Sequence, residues 1–177
     1  MNDSVNIEST EITRLIKQLN SADLSTAINA ARSLGIVGSL AEKVVPQLVI
    51  ATTSQHTKLK ALACASLGRI AKNGRLSIPA LSISLNSDNV SVRQYAAAAL
   101  VEFGDDVSLI YTQLIKSTRD SDAFVREFIM ECFKNVDVLA EDIQYIQDRC
   151  ADESYYVRAA AKKILIKQDT TSRINAA

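Results

Sequence analysis

The chain has 177 residues, sets 20 Lys and Arg against 20 Asp and Glu, and is 47% hydrophobic with 5 Gly, 2 Pro and no Trp. At this length roughly 70% of the unfolded surface is buried on folding, so a core forms without staples and disorder is excluded as the main state. So few Gly and Pro cannot supply the frequent turns of a sandwich or barrel, which leaves an all-helical fold, and a formal net charge of zero argues against a general grip on nucleic acid or an anionic membrane.

Taken in chain order, residues 1–7 carry no periodicity and are expected to be flexible. Residues 8–168 then divide into repeats at 8–38, 39–73, 74–104, 105–136 and 137–168. Each repeat begins with an apolar-periodic segment marked by Ile12 and Leu15, Val45 and Leu48, Ile78 and Leu81, Tyr111 and Leu114, or Ile143 and Ile146. A polar breaker follows, such as Asn86-Ser87-Asp88-Asn89 or Arg119-Asp120-Ser121-Asp122, whose Ser, Asp and Asn side chains suit the first amides of a helix. The second segment of each repeat is aligned by Thr26, Leu59, Val92, Val125 and Val157, in steps of 33, 33, 33 and 32 residues. Eight positions on come Leu34, Leu67, Leu100, Phe133 and Leu165, completing the stripe of an amphipathic helix. Pro46 and Pro79, also 33 apart, fall in the first helices, which must bend there or begin there. The tail 169–177 lacks the pattern and is expected to be flexible.

One hairpin cannot bury its own apolar face, so the expected fold is an all-α, right-handed α-solenoid of about five stacked helical hairpins. The Val92-Arg93, Val125-Arg126 and Val157-Arg158 pairs, each with Asp88, Asp120 or Asp152 five or six places earlier, resemble the HEAT-like repeats, in particular the short variety named after phycobilisome lyases. Ile78-Pro79-Ala80-Leu81 resembles the same family, Leu59-Lys60 is a degenerate copy, and Thr26-Ala27 departs as a capping repeat does. The resemblance implies a ladder of Lys60, Arg93, Arg126 and Arg158 with Asp88, Asp120 and Asp152, in which each Arg bonds turn carboxylates of its own and adjacent repeats.

Catalysis finds little support. His56 stands alone in a turn, and no phosphate-binding loop, metalloprotease helix or paired Cys motif occurs. Cys64, Cys132 and Cys150 are an odd number at no metal-ligand spacing, which points to a reducing compartment; Cys64 is expected on the exposed row, and Cys132 and Cys150 are expected to be buried and inert. No metal, cofactor or catalytic residue is assigned. The opening residues lack the basic end and apolar core of a signal peptide, and no apolar run nears the length of about 18 residues that spans a bilayer, so a cytoplasmic protein is expected.

If the second helices bury positions 0, 3, 4, 7, 8 and 11 counted from their markers, other positions line the concave side that the resemblance assigns to them. The candidate partner-binding residues there are Ile28, Ala31 and Arg32; Ala61, Cys64 and Ala65; Gln94, Ala97, Ala98 and Val101; and Glu127 and Met130. Two readings of this small, apolar strip stand level: an exposed partner site, or a surface covered by neighbouring second helices. Charge is uneven as well, with ten cationic and seven anionic residues before residue 105 and ten against thirteen from residue 105 onward. The expected function is a non-catalytic scaffold or adaptor that binds another protein or peptide. A bilin lyase-like or lyase-associated subunit is the alternative the resemblance raises. Duplex binding ranks last, because only Arg32, Lys60, Arg69 and Arg93 lie near the concave side of the first three repeats.

Overall fold

A computed structural model describes residues 2–37, 41–71 and 75–175. Among them the regular structure is helical, with no strand, and the chain divides into two compact units, Met1–Phe103 and Gly104–Ala177.

The first unit contains α1 (Asn2–Leu19), α2 (Leu24–Val37), α3 (Ala41–Ala51), α4 (Thr57–Arg69), α5 (Ile78–Ser84) and α6 (Val90–Val101), with a 3₁₀ turn at Arg75–Ser77. It is built in two layers. Helices α2, α4 and α6 lie side by side, while α1, α3 and α5 each back the helix that follows them. The core between the layers is the set of repeated apolar rows: Ile12, Leu15, Leu48, Ile78 and Leu81 from one side and Leu34, Leu67 and Leu100 from the other are buried. Removing such side chains from water supplies about 1.5–3 kcal/mol each, which is what holds the short helices in place.

Proline enters in both of the ways open to it. Pro79 occupies the first turn of α5, where its missing amide is not needed, whereas Pro46 sits inside α3. The turns between layers are local hydrogen-bond devices. Ser21, Ser54, Ser87, Asp120 and Asp152 each accept the amide two residues on. Asp23, Asn89 and Asp122 then cap α2, α6 and the corresponding helix of the second unit by accepting amides of the first turn. His56 holds the capping position of α4 without a side-chain bond.

The second unit contains α7 (Tyr111–Ser117), α8 (Ala123–Cys132), α9 (Ile143–Asp148) and α10 (Tyr155–Asn175), with 3₁₀ segments at Gly104–Ile110, Ala140–Asp142 and Arg149–Ala151. Gly104 has φ 55°, the left-handed conformation that glycine adopts without a Cβ penalty, at the entry to this unit. Tyr111 packs edge-to-face on buried Phe133 at 6.1 Å, and its hydroxyl accepts the amide of Leu139 at 2.9 Å. Helix α10 is tied down by Lys167, which donates to the carbonyl of Lys134 at 3.0 Å, and by Gln168, which donates to that of Val138. The terminal stretches expected to be flexible, 1–7 and 169–177, include the start of α1 and the end of α10. Neither stretch contains a Pro or Gly to stop a helix once the adjoining segment nucleates it.

Neighbouring second helices approach closely because small residues meet there. A Cβ on Gly68 would stand 2.7 Å from the Cα of Ala99, and one on Gly35 would stand 2.5 Å from Ser66 Oγ. Ser66 itself donates to the carbonyl of Ala31 at 2.7 Å, across α4 and α2. Helix propensity alone favours Gly68→Ala by about 1 kcal/mol. The clash is with backbone, which cannot swing aside, so overpacking decides the sign. We expect Gly68→Ala to lower stability by about 1–3 kcal/mol in urea or thermal unfolding; a rise would show that the helix pair yields.

Candidate functional site

The strip proposed from the sequence lies partly inside the protein. Ile28, Ala31, Ala61, Cys64, Ala97 and Met130 are buried, with Ala31, Cys64, Ala97 and Met130 at 0% exposure. Ala65, Gln94, Ala98, Val101 and Glu127 are half-buried, and Arg32 is exposed. In the first unit the reason is lateral packing: α4 lies between α2 and α6, so small residues where these helices meet are covered as fully as those that face the first helices. Of the two readings of the strip, the covered one holds for its buried members, so their assignment as partner-binding residues is corrected, and Cys64, expected on the exposed row, lies in the core.

The solvent-facing row sits about a quarter-turn away, at 100° per residue. On α2 it holds Ser25, Asn29, Arg32 and Ile36; on α4, Lys58, Leu62, Ala65 and Arg69; on α6, Ser91, Tyr95, Ala98 and Glu102. Between α4 and α6 this face opens a groove of about 310 Å³, lined by Ala65, Gly68, Ala98 and Ala99 together with Tyr95, Arg69 and Glu102. Tyr95 was missed by the sequence reading, although its place three residues after Val92 is the signal, since an aromatic there interrupts an alanine run. In the second unit the same row carries Phe124 and Tyr156, both exposed.

The turn ladder is present in a different form. Arg93 donates to the carbonyls of Ser87 and Asp88, Arg126 to those of Asp120 and Ser121, and Arg158 to those of Asp152 and Glu153, at 2.7–3.3 Å. Each Arg thus grips the backbone of its own turn rather than its carboxylate. The Asp88 side chain is exposed, the Asp120 carboxylate caps its own turn, and Lys60 is half-buried in α4. The carboxylate comes from the next repeat. Arg126 makes a bidentate pair with Asp152 at 2.8 Å for both bonds and reaches Glu153 at 3.1 Å. Asp152 also receives Arg149 at 3.0 Å and the amide of Ser154. Arg149 Nε, buried beside it, has no partner among the described residues.

Burial of Asp152 works to raise its pKa, but the bonds from Arg126 and Ser154 outweigh it and hold the carboxyl below its ordinary range. A carboxylate depressed in the folded state stabilises above its unfolded value of about 3.9 and loses that contribution as pH falls through the folded value. We expect Arg126→Ala to cost about 3–5 kcal/mol near neutral pH, because a buried carboxylate loses its partner. The difference between wild type and Asp152→Asn should shrink as unfolding is repeated below about pH 4. Arg14→Ala, which removes only an exposed pair with Glu11, should change stability by less than about 0.5 kcal/mol.

The thiols offer no activated nucleophile. Burial pushes Cys64 up to about 11, against a hydrogen bond with Ser84 and the nearby Lys60, and pushes Cys132 up to about 12. Cys150, expected to be buried, is only half-buried, in the short 3₁₀ segment Arg149–Ala151. With a thiol reagent on the folded protein, Cys150 should react first, and Cys64 and Cys132 only on unfolding; equal rates would contradict their burial. Among the described residues no group of three or more His, Cys, Asp or Glu comes together as a metal site, and no helix is long and apolar enough to cross a membrane.

Paired helices in two layers, fixed by turn carbonyls and Arg, define an α-helical repeat protein. The family model of HEAT repeats matches residues 12–101, and the chain belongs to the HEAT-repeat family. Among solved structures it is similar to the complex of CpcE and CpcF of phycocyanin lyase from Nostoc sp. PCC7120, with TM-score 0.71 and 21% identity over 87% of this chain and 63% of that one. It therefore spans less than two thirds of that lyase chain. A designed armadillo repeat protein in complex with the peptide (KR)4 gives TM-score 0.77 at 16% identity, over 92% of this chain and 83% of the design. The archaeal HEAT-like repeats protein from Thermococcus onnurineus NA1 gives 0.67 at 16% identity, over 93% and 73%. At these identities the likeness is one of fold, the all-α class of armadillo and HEAT solenoids. No curated protein matches the sequence significantly.

Proposed function

We propose that the chain is a non-catalytic scaffold that holds a segment of another protein on the exposed face of its second helices. The observation that carries this reading is the groove between α4 and α6. Its small-residue lining admits a chain closely, Tyr95 supplies a rigid amphipathic wall, and Arg69 and Glu102 offer a donor and an acceptor beside it. That combination serves recognition of side chains and peptide groups rather than proton transfer, for which neither the buried thiols nor the lone, exposed His56 is placed. Likeness to a designed peptide binder fits the reading. Likeness to a phycocyanin lyase subunit leaves the bilin lyase-type alternative as a matter of fold alone.

A peptide-display library panned against the purified protein tests it. Selected peptides should lose at least about fivefold in affinity to Tyr95→Ala and to Arg69→Glu, as aromatic and Arg anchors do, while both variants keep the wild-type melting temperature. Peptides that bind both variants as well as wild type would remove the groove from the function. A panning that yields no binder, with a change in bilin absorbance on mixing, would favour the lyase-type alternative.

A further inference from the structure

The opposite layer of the first unit bears a surface that the peptide-binding reading does not use. Helix α1 packs on α3, and α3 on the turn Arg75–Ser77 that leads into α5. Equivalent outward positions on these elements are 33 residues apart. On α1 they are Thr13 and Lys17, which is the ordinary polar surface of a helix. On α3 they become Pro46 and Ile50, and on α5 Pro79 and Ile83, all exposed. Leu76 in the preceding turn joins them. Leu76, Ile83 and Ile50 are 82%, 74% and 59% exposed, a cluster of large apolar side chains in consecutive repeats of one layer. The charged neighbours on this strip include Lys17, Lys43 and, beside Leu76, Arg75, all exposed; the two lysines make no ion pair among the described residues.

The second unit carries the complementary chemistry. Leu109 and Leu139 are exposed there, and so are Asp105 and Glu141. The bond from the Leu139 amide to Tyr111 holds the 139–142 stretch against the start of α7, which directly follows the 104–110 segment that bears Leu109 and Asp105. The charge balance follows the same division, net +3 before residue 104 and −3 after it.

We propose that the Pro46, Ile50, Leu76, Pro79 and Ile83 strip of one chain docks on the Leu109 and Leu139 surface of a second copy of this chain, so that copies associate head to tail. The contact buries leucines and isoleucines on each other and sets Lys17 and Lys43 toward the exposed carboxylates of Asp105 and Glu141. The two patches differ, so the contact is heterologous and each copy keeps one free face of each kind. An anionic membrane is the weaker occupant. Two lysines and Arg75 fall short of the cluster of roughly 4–8 that marks recognition of such lipids.

Sedimentation velocity on the full chain provides the test. The weight-average mass of wild type should rise with concentration and fall back in high salt, where exposed charges are screened over a Debye length of about 3 Å at 1 M. Ile50→Glu with Ile83→Glu spoils the first face, and Leu109→Lys with Leu139→Lys spoils the second. Each double variant alone should remain monomeric at every concentration. An equimolar mixture of the two should form a dimer that does not grow further, because each partner retains one intact face. Melting temperatures equal to wild type separate lost docking from lost folding, and Lys17→Glu with Lys43→Glu replaces the first variant if it unfolds. A wild type that stays monomeric, a mixture that stays monomeric, or association abolished by only one of the two variants would overturn the proposal. So would co-sedimentation of monomeric wild type with phosphatidylserine vesicles that Ile50→Glu with Ile83→Glu abolishes. Groove binding of selected peptides stands or falls separately, since none of these substitutions touches Tyr95 or Arg69.

Discussion

The close approach of one second helix to the next sets most of what the first unit can do. Gly35 against Ser66 and Gly68 against Ala99 bring backbones near enough that no Cβ fits between them, and Ser66 spends its hydroxyl on a carbonyl of the neighbouring helix. Once these helices touch, their flanks are interior and only a narrow row of each remains wet. That row, rather than the apolar stripe of the sequence, is the surface available to a ligand. The same contact makes the groove shallow, since small residues line it where the two helices meet. Spacing between helices is thus fixed by residues that contribute little apolar area and much geometry.

The second unit relies on a different device. Its first helices are short, six and seven residues, and are entered through 3₁₀ segments whose geometry is poorer than that of an α-helix. Arg126 compensates by joining two turns. Its guanidinium holds the carbonyls of its own turn with one nitrogen and the carboxylate of the next turn with the others, at 5% exposure for the residue as a whole. A planar fork with five donors can do this, and an ammonium cannot. Asp152 is correspondingly committed, to two guanidinium groups and an amide. Such a node offsets its desolvation only while every partner is present, which is why it belongs to the architecture and is closed to a ligand.

Helices, turns and repeat register were legible in the sequence because each is written locally. Apolar residues at helical spacing mark the stripe, and the turn signals recur in phase with it. What could not be read was the azimuth of the exposed face. Alanine fits both an exposed position and a tight helix contact, so Ala31, Ala61 and Ala97 gave no sign of which they were until a neighbour covered them. Arg126 met its expectation only in part, through the adjacent repeat and not its own. The carboxylate of its own turn, Asp120, caps that turn's backbone, while the one that binds it, Asp152, lies 26 residues on in the next repeat. Both limits are non-local: they concern which helix lies beside which, and a period cannot state that.

In a repeat array the repeating residues are the ones committed to architecture. Leu48 and Leu81, or Arg93 and Arg126, recur because every hairpin has the same packing problem to solve. Positions whose repetition serves no packing need are free to vary, so their departures from a plain pattern carry information of another kind. Tyr95 breaks an alanine face where nothing in the core requires an aromatic. Ile50 and Ile83 stand in water at a position where α1 has Lys17. Exposed apolar side chains that gain nothing from folding lose nothing by being replaced with lysine, as α1 illustrates. They recur in two consecutive repeats all the same, and the register that locates the core also locates these exceptions.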